Sequence, residues 1–190
     1  MIETIKTSIC ASIQAKSEIL NNFEKLQTIE DIAREIVKAY RADKKVILMG
    51  NGGSASDAQH ICAEFVGRFT KERRSLFAIA LNTNVSNLTA IANDYGYDKV
   101  FSRQIEAFVR EGDVVIGFST SGNSENVNNA LIAAKKLGAV VCGLSGKGGG
   151  KQVACCDYSL VVDSNSSATV QESHIMIGHI LCGLVEDELF

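Results

Sequence analysis

Five short apolar runs punctuate this chain: Val46–Met49, Phe77–Leu81, Val114–Phe118, Val140–Leu144 and Tyr158–Val162. Each is too short for a buried helix and rich in residues that suit strands buried on both faces. Between them lie helical patterns at about 55–68, 85–93, 99–110 and 125–137. Strand and helix in alternation predict an α/β fold, a doubly wound five-stranded parallel sheet with helices on both faces. A length of 190 residues fits a single domain spanning 1–190, and 46% hydrophobic residues suffice for its core.

Helical spacing also flanks this body. Ile2, Ile5, Ile9, Ile13 and Ile19 mark one helix over 2–22, and Ile29, Ile32, Ile36, Val37 and Tyr40 a second over 29–42, parted by Asn21-Asn22 with Thr28 as a cap. Residues 1–43 thus read as a helical N-terminal extension. An amphipathic helix with no partner strand calls for another surface, so an oligomer is expected. Residues 167–188 predict a long C-terminal helix of about 30 Å, with Ser164, Ser166 and Ser167 as N-cap candidates.

Charge and composition exclude several classes. The net charge is −3, and the cluster Lys71, Arg73, Arg74 is interrupted by Glu72, so it reads as a solvated loop and not as a nucleic-acid footprint. No run approaches ~18 apolar residues, and the N-terminus lacks a signal-type apolar core, so a cytoplasmic protein without membrane contact is expected. The cysteines Cys10, Cys62, Cys142, Cys155, Cys156 and Cys182 form no C-x-x-C pair. Most read as small buried hydrophobes in a reducing compartment.

Function concentrates where strands end. Gly50-Asn51-Gly52-Gly53-Ser54, Ser119-Thr120-Ser121-Gly122-Asn123-Ser124 and Ser145-Gly146-Lys147-Gly148-Gly149-Gly150 would lie along one sheet edge, where ligands of such folds bind. The second aims hydroxyls and free N–H groups at the positive end of the following helix, a natural phosphate site. The first is not G-x-G-x-x-G, and Leu81 is followed by Asn82, Thr83 and Asn84 with no acidic residue, which argues against a nicotinamide cofactor. Gly146-Lys147 is followed by Gly148, so it is no Walker A loop. Any one of these turns alone could be a simple chain reversal. Three at one edge point to a phosphorylated small molecule.

His60 and Glu64 stand four residues apart and share a helix face, about 40° apart. A solvated surface pair has the same spacing. Their neighbours Ile61, Cys62, Ala63, Phe65 and Val66 make the helix apolar nearly all round, which predicts burial and a need for partners, a metal among them. In the final helix Gln171, Glu172, His174 and His179 interrupt another apolar pattern. A carboxylate, imidazoles and a phosphate loop without a nucleotide suit proton transfer beside a carbonyl, as in aldose–ketose isomerisation of a sugar phosphate. Zinc held by His and Glu could stabilise the enediolate.

Read in order, Gly50–Ser54, Asp57-Ala58-Gln59-His60, Glu64, Gly67-Arg68, Asn93-Asp94, Phe101-Ser102-Arg103-Gln104, Ser119–Ser124, Gly143–Lys147, Gln171-Glu172, His174 and His179 resemble the phosphoheptose isomerases of the SIS (sugar isomerase) family, from about residue 45 to the C-terminus and into the N-terminal helices. The resemblance implies a flavodoxin-like SIS fold and conversion of sedoheptulose 7-phosphate to D-glycero-D-manno-heptose 7-phosphate, the first step toward heptose for lipopolysaccharide core or surface polysaccharide. It implies a cytoplasmic homotetramer with active sites between subunits and one zinc per subunit. By position, Glu64 would be the base and His179 the acid. His60, Glu64, Gln171 and His179 would bind zinc. Asn51, Gly52, Gly53, Glu64, Asn93, Asp94, Ser119, Thr120, Ser121, Ser124 and Gln171 would contact substrate. His174 belongs to the pattern but reads as structural or as a support behind the residues that touch metal and substrate. The alternatives are a non-enzymatic relative that associates with the replication initiator DnaA and a sugar-phosphate-sensing module. The DnaA-associating relative lacks the histidine at His179 and has arginine at Ser121, and this chain follows the isomerases at both.

Overall fold

The computed structural model describes residues 1–190. The five strands are β1 (Val46–Gly50), β2 (Ala78–Ala80), β3 (Val114–Ser119), β4 (Val140–Gly146) and β5 (Tyr158–Val162). They form one parallel sheet in the order β2-β1-β3-β4-β5. The helices are α1 (Ile2–Leu20), α2 (Phe23–Arg41), α3 (Gly53–Val66), α4 (Val85–Tyr95), α5 (Ser102–Phe108), α6 (Glu125–Lys136) and α7 (Ser167–Leu189). No helix is long and apolar enough to cross a membrane.

Two cores follow from alternation along the strands. Leu48, Ile116, Phe118 and Leu144 point into one, with Ile32 and Ile36 of α2, Ile61 and Phe65 of α3, and Ile177 and Leu181 of α7. Ile47, Met49, Val115 and Val141 point into the other, against Ile105 of α5 and Val127 and Leu131 of α6. The N-terminal helices differ from each other. In α2 seven residues are buried, whereas α1 buries only Ala15 and Ile19. Ile2, Ile5, Ile9 and Ile13 each leave more than half their surface exposed.

Register positions the site. Gly50 pairs with Phe118 and Ser119 with Ser145, so the turns after β1, β3 and β4 stand side by side. Strand β1 has β2 on one side and β3 on the other, which makes the crevice above it the switch point where ligands of such sheets bind.

Several details depart from the sequence reading. Helix α2 begins at Phe23, not near 29. Asn22 is its cap, accepting from Lys25 N at 3.1 Å, while Thr28 lies inside the helix with its hydroxyl bonded to the Glu24 carbonyl. The pattern at 99–110 divides into a 3-10 turn at Tyr97–Lys99 and the short α5. Strand β2 omits Phe77, which is exposed. Of the three serines, Ser166 caps α7 through Thr169 N. Only Cys142 and Cys182 are buried; Cys62, Cys155 and Cys156 are partly so and Cys10 is exposed.

The segment read as a solvated basic loop is anchored instead. The side chains of Arg73 and Glu186 pair at 2.8 Å with 1% exposure each. Burial alone would raise the Glu186 carboxyl, but the N–H groups of Lys71, Thr70 and Phe69 outweigh it and hold the group at about 2. The ion pair is therefore hydrogen-bonded throughout, the condition under which a buried charge is tolerated.

Candidate active site

At the end of β3 the chain makes a tight polar corner. Ser119 is buried, its hydroxyl donates to Ser124 Oγ at 2.9 Å, and the Ser121 hydroxyl accepts from Asn123 N at 3.1 Å. Gly122 has φ +65°, and a Cβ there would run into the Gly149 carbonyl, so only glycine fits. Its own carbonyl accepts from Gln152 N at 2.9 Å and Asn128 Nδ2 at 3.2 Å. The neighbouring loop, Lys147 to Gly150, consists wholly of positive-φ residues and is tied to the corner by Lys151 N donating to Asn123 Oδ1 at 3.1 Å. Helix α6 starts next, with no side-chain bond from its N-cap Ser124 into the first turn. Its N–H groups and positive dipole end face the corner, which makes this edge suited to an anion.

His174 supports the corner from below. It is fully buried and its Nε2 donates to the Ser145 carbonyl at 3.2 Å. Burial pushes its pKa down to about 4, against a smaller upward pull from that bond. The ring is therefore neutral with its proton on Nε2. Its hydrogen bond goes to the sheet and not to His60 or His179.

The other constellation joins α3 to α7. His60 Nε2 lies 3.0 Å from His179 Nε2 and 3.2 Å from Glu64 Oε1. The ligand atoms of all three residues fall within 4.8 Å of one another, as around a single metal ion. These groups are not buried as the sequence suggested. The His60 side chain is 50% exposed and that of Glu64 22%, because Ala63 and Val66 are exposed too and α3 is buried on one side only. Apolar residues on the outer face of α3 mark a surface one chain does not cover, which periodicity cannot distinguish from a core.

Further up α3 the glycines fulfil a packing demand. A Cβ on Gly53 would overlap the Gln171 amide, whereas one on Gly52, at φ +57°, meets nothing within 4 Å. The N-terminus of α3 therefore faces open space with no side-chain cap. Gln171 donates to Asp57 Oδ1 at 3.3 Å. Burial raises the Asp57 carboxyl, opposed by that bond and by His60, and its Oδ2 has no partner. Asn51 exchanges amide bonds with Asn126 at 2.8 and 2.9 Å and accepts from the Tyr97 hydroxyl at 3.1 Å. Asn93 and Asp94 bond each other at 2.8 Å on α4, a helix with no buried residue.

Thus His60, Glu64 and His179 converge; Asn51, Gly52, Gly53 and Gln171 surround the start of α3; and Ser119, Thr120, Ser121 and Ser124 form the next turn along. Asn93 and Asp94 hydrogen-bond each other and none of these. The sequence reading did not place Asp57 beside Gln171, or Asn126 and Tyr97 beside Asn51. Asp57 lies three residues before His60 in the same motif, which was the available signal. A hollow of about 600 Å³ between α2 and the end of α7 contains none of these groups.

Comparison with known proteins gives the family to which this fold belongs. The SIS domain family matches residues 13–146. A phosphoheptose isomerase from Clostridium acetobutylicum is 52% identical over 186 residues, covering 98% of this chain and 95% of the relative. Another from Sulfurimonas denitrificans is 51% identical over 190 residues, covering 100% and 97%. The structure of phosphoheptose isomerase from Neisseria gonorrhoeae superposes with a TM-score of 0.91 at 40% identity, covering 97% and 98%. With this sheet order, this strand-end cradle and this length of similarity, the chain belongs to the phosphoheptose isomerases of the SIS domain family.

Proposed function

We infer that this chain is an aldose–ketose isomerase that converts sedoheptulose 7-phosphate to D-glycero-D-manno-heptose 7-phosphate. The observation that carries this reading is the meeting of Glu64, His60 and His179, from two helices, in a chain that also carries the Ser119–Ser124 corner at the end of β3. The corner would hold the phosphate through the hydroxyls of Ser119, Thr120, Ser121 and Ser124 and the start of α6. Asn51, Asn93, Asp94 and Gln171 would bind sugar hydroxyls, and Gly52 and Gly53 would let the backbone approach.

The chemistry then needs one base and one acid. Glu64 takes the proton from C1 of the ketose and returns it to C2. His179 donates a proton to the C2 oxygen as the carbonyl becomes a hydroxyl, and receives one from the C1 hydroxyl as the aldehyde forms. The C1–H and O1–H bonds break, C2–H and O2–H form, and no electron acceptor is needed.

The donor set also fits zinc. Zn–N bonds of about 2.0–2.1 Å in tetrahedral array place ligand atoms about 3.3 Å apart, close to the spacing around His60 Nε2. His60, Glu64, Gln171 and His179 would hold the ion. When bound, zinc would supply a Lewis acid for developing oxygen charge. In our reading the enzyme works in the cytoplasm as a homotetramer with sites between subunits, at the first step toward heptose for lipopolysaccharide core or surface polysaccharide. The isoleucine stripe of α1 and the open α3 face are surfaces such an assembly would cover.

Incubation with sedoheptulose 7-phosphate, with and without chelator, tests the reading. Appearance of the heptose aldose is expected, reduced by chelation. No aldose under any metal condition would refute it.

A further inference from the structure

His179 is a half-buried side chain with a single polar contact, Nε2 to His60 Nε2 at 3.0 Å. A histidine that binds metal is ordinarily held through its second nitrogen, by a carboxylate, carbonyl or water. No protein group bonds Nδ1 of His179. The ring meets His60 edge-on, with centroids 5.1 Å apart, and its face is covered by Phe69, stacked with centroids 5.5 Å apart and planes 19° from parallel.

Phe69 is itself fixed. The Glu186 carboxylate accepts from the N–H groups of Phe69 at 2.7 Å, Thr70 at 2.8 Å and Lys71 at 2.9 Å, from the Thr70 hydroxyl at 3.0 Å, and from Arg73 Nε at 2.8 Å. Besides a bond to the Arg74 carbonyl at 3.0 Å, Arg73 turns its remaining N–H groups to the end of α3. It donates to the carbonyl of Glu64 at 2.8 Å, of Phe65 at 2.9 Å and of Gly67 at 3.2 Å. One buried ion pair therefore holds the backbone that carries Glu64 and the loop that presents Phe69.

Helix geometry aligns the parts. Glu186 follows His179 by seven residues, which returns it to within about 20° of the same line along α7. Gly183 lies between them, and Phe69 lies against it: a Cβ at Gly183 would touch Phe69 Cε1 at 3.6 Å. The ring fills the space a side chain would otherwise occupy.

We propose that Phe69, seated by Glu186 and Arg73, is a positioning residue for His179, its face fixing the imidazole plane so that Nε2 stays turned toward His60 and Glu64. The role of His179 rests on the isomerase reading above; the stacking does not.

Phe69→Leu keeps apolar bulk and loses the flat face, whereas Phe69→Tyr keeps both. Two measurements are made on each full-length variant: steady-state isomerisation of sedoheptulose 7-phosphate, and cobalt(II) titration of the metal-free protein followed by absorbance. Phe69→Leu is expected to lower kcat and cobalt affinity each by about tenfold or more, the range for groups that orient metal ligands. KM should stay within about twofold, since the phosphate corner is untouched. Phe69→Tyr should match the parent in both. Parental kcat and cobalt affinity in Phe69→Leu would overturn the proposal. A parent that binds cobalt but turns over no sugar phosphate would overturn only the isomerase reading, leaving cobalt affinity to judge Phe69. A parent that does neither would overturn both.

Discussion

Around Ser119–Ser124 the chain satisfies most of its own polar groups: hydroxyl to hydroxyl, Gly122 carbonyl to Gln152 and Asn128, Asn123 to the next loop, His174 to Ser145 below. Around His60 and His179 the reverse holds. Two imidazole nitrogens and a carboxylate oxygen face one another with no bond to the surrounding backbone, on helix faces half open to solvent. The first region is a cradle whose shape is complete before any ligand arrives. The second is a set of side chains whose polar atoms meet only one another within the chain. In the function proposed above, binding and chemistry thus fall to different elements, loops pinned at strand ends and side chains on two long helices.

The comparison can be broken most sharply at its open side. Glu64→Gln and His179→Gln should each lower isomerisation by about 10²–10⁴-fold, the range for general acid–base groups. Because neither side chain supports the fold, elution on size exclusion should match the parent. Near-parental turnover in either variant would refute the assigned roles.

Next in size is the seat between the two helices. Arg73→Met leaves the Glu186 charge buried without its partner, and should cost about 3–5 kcal/mol of stability in urea unfolding. An unchanged midpoint would mean that the N–H groups of residues 69–71 suffice alone.

Acid probes the closed side. The folded-state pKa of His174 is depressed to about 4 from 6.5, so the unfolded chain binds the proton first. Stability from the neutral buried ring is complete above pH 6.5 and declines as pH falls toward 4, by about 3 kcal/mol in all. Urea titrations at pH 7 and pH 4.5 should show most of this loss, and His174→Gln should remove that part of the slope. The Glu186 contribution falls in a lower window, from about 4.5 down to about 2, and so separates from it.

The smallest effect is expected in the cradle itself. Ser119→Ala removes one hydroxyl among several, so KM should rise about tenfold, a hydrogen bond to a charged group being worth about 1.5–3 kcal/mol. With kcat nearly unchanged, the cradle binds and the helices react. A fall in kcat as large as that of Glu64→Gln would erase the division.

Much of this architecture was readable because it is periodic or local. The five strands announce themselves as apolar runs, and β1, β3 and β4 end at the turns the sequence marked. The His60–Glu64 pair is visible as a four-residue spacing. Less legible were features set by distant partners. Arg73 meets Glu186 across 113 positions, and nothing in either neighbourhood reports it. Phe69 has the spacing of any loop residue until Glu186 fixes its backbone. The burial expected of α3 failed for a related reason: its apolar residues outnumber those its own chain covers. Thr28 misled because threonine caps helices and also bonds back within them, and Asn22 stood closer to the break.

Helix α1 buries Ala15 and Ile19 against α2 and α7. During synthesis α1 leaves the ribosome well ahead of the sheet, whereas α7 follows the last strand. A helix with four exposed isoleucines must therefore wait for about 150 further residues before its main intrachain support exists, on the order of ten to thirty seconds at ordinary elongation rates. In that interval it is the segment most open to chaperones and to premature pairing with a neighbouring nascent chain. Yield in a heterologous host should accordingly depend on how quickly α7 is completed.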